Sequence, residues 1–497
     1  MSKNIRGSYK VDLNGATIDR LIGNFMEENE VGGLALSIVQ APYISRVVNY
    51  GTAAANSEGE KLVSGNTVFP VGRISQGYMA IAVMQAYENK LLDLDDSIDK
   101  FFKVDKQLKA IKIKNLLQHT SGLIDFTKRS DYSPIKIYDK KQIAEWILKS
   151  ALHHEPNTQI EQNPSNFYLL SLIIDKVTKM SYEAWVNKNQ IERLKLKNTF
   201  FLKDKAKHIT LEKVKKIHDH QRFKQEVAYI DGQEIAESQD DNLIEDVNLR
   251  GYCDIYASAY EISFWDIALA GTVLVKEGTN RKFIYSGMEL NGKTINASCG
   301  WQFTHSKGFM DIYDNTNGFT TYLSRFTDPA DLVCVTILAT KQGLEVTELA
   351  REIAAAFKTD LMVPANQDLF TTVESRLNAP DTYEKLKKLI QKSGNTIFAE
   401  VDHQKNAVDA KMKLNFNKVI TFGNPAVGTH LIQDNPWMGS RLPLSIGVYE
   451  DSSANVWVTT ENLMSFAKLY NLDSKCPVLK KIKKAVVTLI NKAASVY

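Results

Sequence analysis

Cysteine is scarce in this chain of 497 residues, which contains four: Cys253, Cys299, Cys334 and Cys476. None of them belongs to a C-x-x-C pair, so neither a zinc site nor a disulfide framework is indicated. The nine histidines are scattered and form no H-E-x-x-H motif. The sequence therefore predicts no metal site and no cofactor.

Long apolar runs and a strong net charge are also missing. No run of about 18 apolar residues occurs, so we expect no helix that spans a membrane. The N-terminal segment has neither the apolar stretch nor the cleavage site of a secretory signal, and we therefore expect a cytoplasmic protein. The net charge of +3 is too small to suggest a nucleic-acid or membrane partner.

The composition is otherwise that of a soluble globular protein, with 44% apolar and 24% charged residues. A chain of this length is expected to form two or three domains. Strands, then a helical middle, then strands and a closing helix follow one another up to about residue 360. Strands from both ends of such a segment build an antiparallel sheet with a helical subdomain inserted between them. We predict an α/β (α+β) fold for residues 1–360, with the charged segment 203–250 as an insertion.

The pattern of elements starts again after residues 359–370, whose polar and proline content is typical of a linker. Residues 368–475 predict a small α+β domain with a helix over 373–393, a second helix after the next strand, three more strands, and the segment "NPAVGTH" as a turn. Residues 476–497 are apolar along one side and lysine-rich along the other. This pattern predicts an amphipathic helix docked on its own domain, with a membrane-surface or partner helix as the alternative.

The second domain contains three informative strings, "VDHQKNA" with His403, "TFGNPAVGTHLI" with Asn424, and "LPLSIGVYED". They resemble a family of small α+β domains known as domain of unknown function 302. That family has no settled activity, so the resemblance implies a fold and little else. His403 and Asn424 are the candidate functional residues of this domain, although a lone histidine is more often structural than catalytic.

In the first domain, "VFPVGRISQGYMA" predicts the end of a strand, a glycine turn and a helix with apolar residues at helical spacing. The segments "LLDLDDSI", "NLLQHTSGL", "GWQF" and "NGFTTYLSRF" follow along the chain. In order and spacing these segments resemble the serine β-lactamase and penicillin-binding protein family over about residues 10–360. The resemblance implies that family's antiparallel sheet with helices and an inserted helical subdomain.

The resemblance also implies three catalytic clusters. In the family a serine attacks a carbonyl, a lysine one helical turn later assists proton removal, a tyrosine and an asparagine come from the helical domain, and a Lys/His-Thr/Ser-Gly triplet lies on the edge strand. In this chain other residues stand at the matching positions, namely Arg73, Gln76, Gln162, Pro164, Ile312, Tyr313 and Asp314. A guanidinium cannot be deprotonated in a protein and cannot attack, and a glutamine amide has no useful basicity. The carried-over positions therefore line a cleft without the family's acyl-transfer groups.

Several contacts are expected among the substituted residues. Arg73 should lie at a helix start and pair with Asp314 on the facing strand, because the helix dipole disfavours a cation there. Gln76 and Gln162 should hydrogen-bond one another or water. His119 and Ser121 look like a Ser/His pair, but in the pattern of the family they are structural.

One stretch preserves the spelling S-x-x-K, Ser133 to Lys136. It lies in a polar segment about sixty residues after the glycine turn that the family uses. A helix that begins with Ser133 as its N-cap and Pro134 as its first residue explains the spelling better than catalysis does.

Three functional hypotheses remain open at the level of the sequence. The first is a pseudoenzyme, in which a β-lactamase-like domain binds a small anionic ligand or a protein partner without covalent chemistry. The second is a serine-hydrolase-like esterase, amidase or peptidase with a new nucleophile such as Ser75, Tyr313 or Ser133. The third places activity or binding in the C-terminal domain, with the large domain as a scaffold. A homo-oligomer is compatible with each of them.

Overall fold

The structure is a computed structural model of the chain. It describes residues 18–40, 43–56, 59–205, 229–230, 233–234, 236, 238, 246–303, 309–315, 318–326, 333–355, 369–469 and 477–497. The chain divides into two compact units, the first extending to Thr359 and the second beginning at Asp360. Each unit has its own hydrophobic core.

Strands dominate both ends of the first unit, as the sequence predicts. They are β1 (Gly33–Gln40), β2 (Tyr43–Asn56), β3 (Gly59–Leu62), β4 (Phe69–Pro70), β5 (Thr199–Phe201), β6 (Tyr229–Ile230), β7 (Gln233–Glu234), β8 (Ile255–Ala257), β9 (Met288–Leu290), β10 (Lys293–Ile295), β11 (Ala297–Ser298), β12 (Trp301–Phe303), β13 (Phe309–Asp314), β14 (Thr320–Phe326) and β15 (Val333–Ala339). Among the described residues, eight of these strands form one antiparallel sheet in the order β11-β12-β13-β14-β15-β1-β2-β3. The N-terminal strand β1 pairs directly with the late strand β15, which confirms that the two ends of the segment build one sheet.

Helices fill the middle of the first unit, and one further helix lies at each end of it. They are α1 (Ile18–Asn29), α2 (Ile74–Glu88), α3 (Ile113–Leu117), α4 (Lys140–Leu148), α5 (Pro164–Thr178), α6 (Tyr182–Val186), α7 (Glu192–Leu194), α8 (Ala259–Ala270), α9 (Gly278–Tyr285) and α10 (Thr347–Ala355). A π-helical turn, Asn187–Ile191, joins α6 to α7, and short 3-10 helices occur at Ile98–Lys100, Lys106–Ala110, Phe126–Lys128 and Leu202–Asp204. The mixed fold, with an antiparallel sheet and a helical middle, agrees with the predicted fold class.

Helix α2 is central to this unit because it is covered on every side. Thirteen of its 15 residues are buried, and most of them are apolar, as expected for a helix that is covered on all sides. The ring of Tyr78 stacks on that of Trp265, with 4.3 Å between the ring centroids. The helix is therefore fixed on all sides, and its N-terminal end is held in a defined position.

The second unit is a five-stranded antiparallel sheet with helices. Its elements are β16 (Phe370–Glu374), α11 (Ala379–Lys392), β17 (Thr396–Asp402), α12 (His403–Asp409), β18 (Asn417–Gly423), α13 (Pro425–Asp434), a 3-10 helix (Pro436–Ser440), β19 (Leu444–Glu450), β20 (Val456–Glu461), α14 (Leu463–Leu469) and α15 (Pro477–Ala494). The strand order is β16-β20-β19-β18-β17. The predicted small α+β domain is confirmed.

Two predicted elements of this unit were wrong. The helix expected over residues 373–393 begins at Ala379, because residues 370–374 form β16 and pair with β20. The segment expected as a turn begins helix α13, with Asn424 as its N-cap and Pro425 at its first position. Asparagine followed by proline is a helix-start signal, and this signal outweighed the glycine in the same segment.

The C-terminal helix α15 packs on the core of its own unit, as the apolar stripe predicts. Leu479, Val486, Leu489 and Ile490 are buried and belong to the same cluster as Leu386 of α11. The lysines are on the opposite side of the helix, and Lys480, Lys481 and Lys484 are exposed. Among the described helices, none is both long enough and apolar enough to cross a membrane.

Some sequence predictions lie largely outside the described residues. They are most of the insertion 203–250, the linker over residues 359–370 and the first seventeen residues of the chain. The proposed domain limits therefore stay proposals.

Candidate functional site

The turn before α2 places Arg73 at the position where the helix starts. Gly72 has a positive φ of 53°, which glycine adopts without steric cost. Arg73 is the N-cap residue of α2 and has helical dihedral angles. Its side chain is mostly covered, with 21% exposed. The glycine turn and the helix start therefore place both the backbone N–H and the guanidinium of Arg73 so that they face strand β13.

Asp314, the last residue of β13, receives hydrogen bonds from backbone N–H groups and from the guanidinium of Arg73. The backbone N–H of Arg73 donates to Oδ2 at 2.9 Å, and the guanidinium Nε of Arg73 donates to Oδ1 at 2.9 Å. The backbone N–H of Asn315 also donates to Oδ1 at 2.9 Å. The side chain of Asp314 is 1% exposed. The predicted pairing of Arg73 with Asp314 is confirmed, and the carboxylate also binds backbone groups from two elements.

The electrostatics of this contact explain how a cation is tolerated at a helix N-terminus. The positive end of the α2 dipole disfavours a guanidinium but favours a carboxylate, and Asp314 lies against both. Burial opposes the charge of Arg73, but the adjacent carboxylate outweighs it and raises the pKa of the guanidinium above its ordinary value. The guanidinium of Arg73 therefore stays charged throughout the physiological pH range.

Cys253 is a further residue at this site, and its sequence context gives no signal for it. Its Sγ lies 3.8 Å from Oδ2 of Asp314. Burial, together with the neighbouring carboxylate, raises the pKa of this thiol well above its ordinary value. A thiol in that environment stays protonated, and thus it is a poor nucleophile.

Gln162 accepts a hydrogen bond from Arg73, whereas Gln76 contacts a different residue. The guanidinium Nη1 of Arg73 donates to Oε1 of Gln162. Oε1 of Gln76 instead lies 3.0 Å from Nε2 of His119. We predicted that the two glutamines bond one another or water, and the first alternative is wrong. Arg73 uses Gln162, and helix α2 turns Gln76 toward His119 in the "HTSG" segment.

His119 lies in a buried network of neutral groups. Its Nδ1 lies 3.1 Å from Nδ2 of Asn166, and Oδ1 of Asn166 accepts from the hydroxyl of Ser121. An amide that donates to Nδ1 requires the imidazole proton on Nε2, which can then donate to Gln76. Burial, with the nearby charge of Arg73, lowers the pKa of His119 to about 3. His119 is thus neutral and bonded at both nitrogens, and Asn166 separates it from Ser121.

The alternative nucleophiles proposed from the sequence are engaged elsewhere. Ser75 is fully buried, and its Oγ accepts from the backbone N–H of Ile255 at 3.2 Å. The phenol of Tyr313 donates to the carbonyl of Leu344 at 2.8 Å, and burial raises its pKa above the ordinary value.

Ser133 also differs from its prediction. Ser133 to Lys136 form a turn closed by the backbone N–H of Lys136 and the carbonyl of Ser133, so Ser133 caps no helix. Helix α4 begins later, at Lys140, with Asp139 as its N-cap. Asp139 is the stronger cap signal because its carboxylate accepts from the N–H of Lys141 at 2.7 Å.

The remaining candidate positions lie at helix starts or in a hydrophobic core. Pro164 is the first residue of α5, and Asn163 caps that helix. Ile312 is buried in the core of the first unit. In the second unit, His403 is exposed at the start of α12, and the side chain of Asn424 caps α13. Within the described part of the chain, no cluster of histidine, cysteine, aspartate and glutamate could hold a metal ion.

Comparison with known families identifies both units. A family model described as Beta-lactamase matches residues 18–358, and a model described as Domain of unknown function DUF302 matches residues 371–489. Protein flp of Staphylococcus aureus (strain MW2) is 26% identical over 198 residues, which are 38% of this chain and 39% of that protein. The chain therefore spans about two fifths of the length of the curated relatives it matches.

Solved structures show the same fold at low sequence identity. The octameric penicillin-binding protein homologue from Pyrococcus abyssi has a TM-score of 0.54 and 15% identity, covering 89% of this chain and 89% of that chain. A class C beta-lactamase has a TM-score of 0.53 and 18% identity, covering 70% of this chain and 96% of that chain. These similarities establish the fold of the chain and leave its chemistry to be argued from the site.

Proposed function

We propose that this chain, which belongs to the beta-lactamase family over residues 18–358 and carries a DUF302 domain, is a pseudoenzyme that acts by non-covalent binding. The proposal rests on the chemistry of the residues at the start of α2 and the end of β13. In this proposal the chain retains the fold of the family, whereas the residues that carry out acyl transfer are replaced.

The observation that carries the proposal is the position of the Asp314 carboxylate. Two backbone N–H groups, from Arg73 at the helix start and from Asn315 after the strand, converge on it at 2.9 Å. Converging backbone N–H groups are the usual means of stabilising the oxyanion in acyl transfer. Here they bind the carboxyl group of Asp314, which belongs to the chain itself. A substrate carbonyl would have to displace a buried carboxylate that is also paired with Arg73.

The residues beside this carboxylate supply no activated nucleophile. Arg73 stands where the family has its serine, and its guanidinium donates to Asp314 and Gln162. Gln76 stands where the family has its lysine, and it bonds a neutral histidine. A nucleophile requires a base within hydrogen-bond reach, and neither Ser75 nor Tyr313 has one among its described partners.

The same contacts argue against a small anion bound to Arg73. Its Nε and Nη1 donate within the chain, and the charge of the guanidinium is neutralised by Asp314. The internal pair closes this part of the cleft, so binding of a protein partner or a small ligand should use other surfaces of the molecule.

The proposal predicts that the protein forms no covalent adduct with a fluorescent penicillin or with a fluorophosphonate. Intact-mass spectrometry of the full chain after incubation should show the unmodified mass. An active penicillin-binding protein treated in parallel shows that the reagents are competent.

A stoichiometric added mass would contradict the proposal and support the hydrolase alternative. The variants Ser75→Ala, Ser133→Ala and Tyr313→Phe would then identify the nucleophile, because only one of them should abolish the label.

A further inference from the structure

Helix α15 carries a strong charge of one sign. Over Pro477–Ala494 it contains five lysines and no acidic residue. Lys480, Lys481 and Lys484 are exposed, and within the described part of the chain none of these three ammonium groups has an ion-pair partner. The apolar side of the helix is buried in the core of the second unit, so the side that faces outward is the charged one.

The small net charge of the whole chain is unevenly distributed between its two parts. Basic residues outnumber acidic residues in residues 369–497, whereas acidic residues outnumber basic ones in residues 1–368. At physiological ionic strength a surface charge is screened beyond about 8 Å. A partner therefore responds to the local charge of α15 and not to the total charge of the chain.

Helix α11 brings two further lysines to the same end of the second unit. The backbone N–H of Arg376, just before α11, donates to the carbonyl of Ala494 at 2.8 Å. The end of α15 thus lies beside the start of α11, and the two helices pack antiparallel. At a rise of about 1.5 Å per residue, Lys392 of α11 and Lys481 of α15 both lie about 20 Å further along. Lys388 and Lys392 are exposed, and neither has an ion-pair partner among the described residues.

An exposed tryptophan lies at this end of the unit as well. The start of β17 pairs with the end of β18, Thr396 with Gly423, so α13, which follows β18, begins near the end of α11. Helix α13 also packs on α15. Trp437, in the 3-10 helix after α13, is 74% exposed, and Ile432 of α13 is 37% exposed. Tryptophan is highly buried on average, so a side chain this exposed indicates a contact surface.

We propose that this end of the second unit binds the surface of a membrane that contains anionic lipids. The lysines attract the negative headgroups, and the indole enters the boundary between headgroups and acyl chains. This binding is independent of the proposed loss of acyl transfer in the first unit. The proposed membrane-binding surface consists of the exposed basic and apolar residues of α11, α13, the following 3-10 helix and α15, namely Lys388, Lys392, Ile432, Trp437, Lys480, Lys481 and Lys484.

The residue types of this surface favour lipid headgroups over a nucleic acid. Lysine carries a compact charge on a flexible stem, which adapts to mobile headgroups, whereas the rigid fork of arginine suits bidentate contacts to phosphates and base edges. Arg441 lies at this end, but it pairs with Glu461 at 3.1 Å. The indole of Trp437 combines an apolar ring with a polar N–H, which suits the interface between lipid and water.

Cosedimentation of the full chain with lipid vesicles tests the proposal. At about 0.1 M salt, vesicles of phosphatidylcholine with about 30% phosphatidylserine should bind the protein, and vesicles of phosphatidylcholine alone should not. Raising the salt to about 0.5 M should weaken the binding about tenfold or more, because the salt screens the lysines from the headgroups.

Two charge variants test the two helices separately. The triple variant Lys480→Gln, Lys481→Gln and Lys484→Gln should bind the anionic vesicles about a hundredfold more weakly, since each lysine near the surface contributes about fivefold. Lys388→Gln combined with Lys392→Gln should weaken binding about 25-fold for the same reason. Circular dichroism shows whether each variant is folded, and the second variant decides the question if the first does not fold.

The opposite end of the second unit supplies a matched control. Lys405, Lys411 and Lys413 are exposed there, after the other end of β17. Asp409 of the same segment and Glu450 at the end of β19 offset part of their charge. The variant in which these three lysines are replaced by glutamine loses as much charge as the α15 variant. It should bind the vesicles as the unchanged protein does.

Tryptophan fluorescence distinguishes a lipid surface from other anionic partners. On binding to the anionic vesicles, the emission should shift to shorter wavelength, because the indole of Trp437 leaves water. Trp437→Phe removes this indole, and its emission should not shift when the protein binds.

Four results would overturn the proposal. They are equal binding to anionic and neutral vesicles, undiminished binding of both folded charge variants, an equal loss of binding in the control variant, and a wavelength shift that persists in Trp437→Phe. Tighter binding to a DNA duplex than to the anionic vesicles would also refute it, because the surface would then be one for nucleic acid.

Discussion

At the scale of single residues, Arg73 and Asp314 control the site at the start of α2. Each would be unfavourable alone, Arg73 because of the helix dipole and Asp314 because it is buried. Together they form an ion pair in which two backbone N–H groups satisfy the remaining lone pairs. Breaking a buried pair by removing one partner is generally more costly than the pair is worth, because the other charge is left behind.

We therefore expect Arg73→Ala to lower the free energy of unfolding of the first unit by about 2–4 kcal/mol. The loss of stability should be less than about 4 kcal/mol, because Asp314 keeps its two backbone N–H donors. Guanidinium unfolding, followed by circular dichroism, measures it.

Two further variants control this prediction. Arg73→Ala combined with Asp314→Ala should recover part of the lost stability, because the orphaned charge is then gone. Lys149→Ala removes an exposed pair with Glu145 and should cost less than about 0.5 kcal/mol. If Arg73→Ala lowers the free energy of unfolding no more than Lys149→Ala does, the ion pair between Arg73 and Asp314 does not stabilise the first unit.

At the scale of elements, the strand–turn–helix unit at β4 and α2 fixes the position of Arg73. Its turn requires Gly72, which has a positive φ of 53°. A Cβ built on Gly72 would lie 2.1 Å from Oδ2 of Asp314. The turn, the helix start and the carboxylate therefore constrain one another, and α2 is held rigidly because nearly all its residues are buried.

Gly72→Ala should accordingly destabilise the first unit by about 2 kcal/mol or more, through backbone strain and through displacement of Asp314. Thermal and guanidinium unfolding measure the effect. Gly65→Ala is the matched control, since Gly65 has no positive φ and a Cβ there would meet nothing within 4 Å. Equal effects of the two substitutions would show that the contact with Asp314 does not matter.

At the scale of the whole molecule, two separate hydrophobic cores divide the chain. The core of the first unit joins α2, α5 and the large sheet, whereas that of the second unit joins α11, α15 and the smaller sheet. Helix α15 closes the second core, with Leu479, Leu489 and Ile490 buried against it. A unit with its own sheet and its own core should fold by itself.

We expect residues 369–497, produced alone, to fold and to unfold in one cooperative transition. Circular dichroism, well-dispersed NMR spectra and urea titration test this expectation. The same fragment shortened by removing residues 477–497 should be much less stable, because α15 no longer covers the core. If the longer fragment is unfolded, the proposed boundary within residues 359–370 is wrong.

Local patterns in the sequence determined the fold class and most elements. Hydrophobic periodicity is a property of neighbouring residues. It therefore identifies strands such as β14 and the buried helix α2 without any knowledge of distant contacts. The sequence alone also gives the residue types at the start of α2, Arg73 and Gln76, on which the proposed loss of acyl transfer rests. Even the helix α13, which was predicted as a turn, begins with an Asn-Pro signal that is local.

Only the tertiary structure decided which partners these side chains find. Asp314 lies 241 positions from Arg73 in sequence, and its contact with two backbone N–H groups depends on how a strand end meets a helix start. Gln76 bonds His119 rather than Gln162 for the same reason. Hydrogen bonds are short and directional, so they are set by the packing of elements that are distant along the chain, which periodicity within one segment cannot specify.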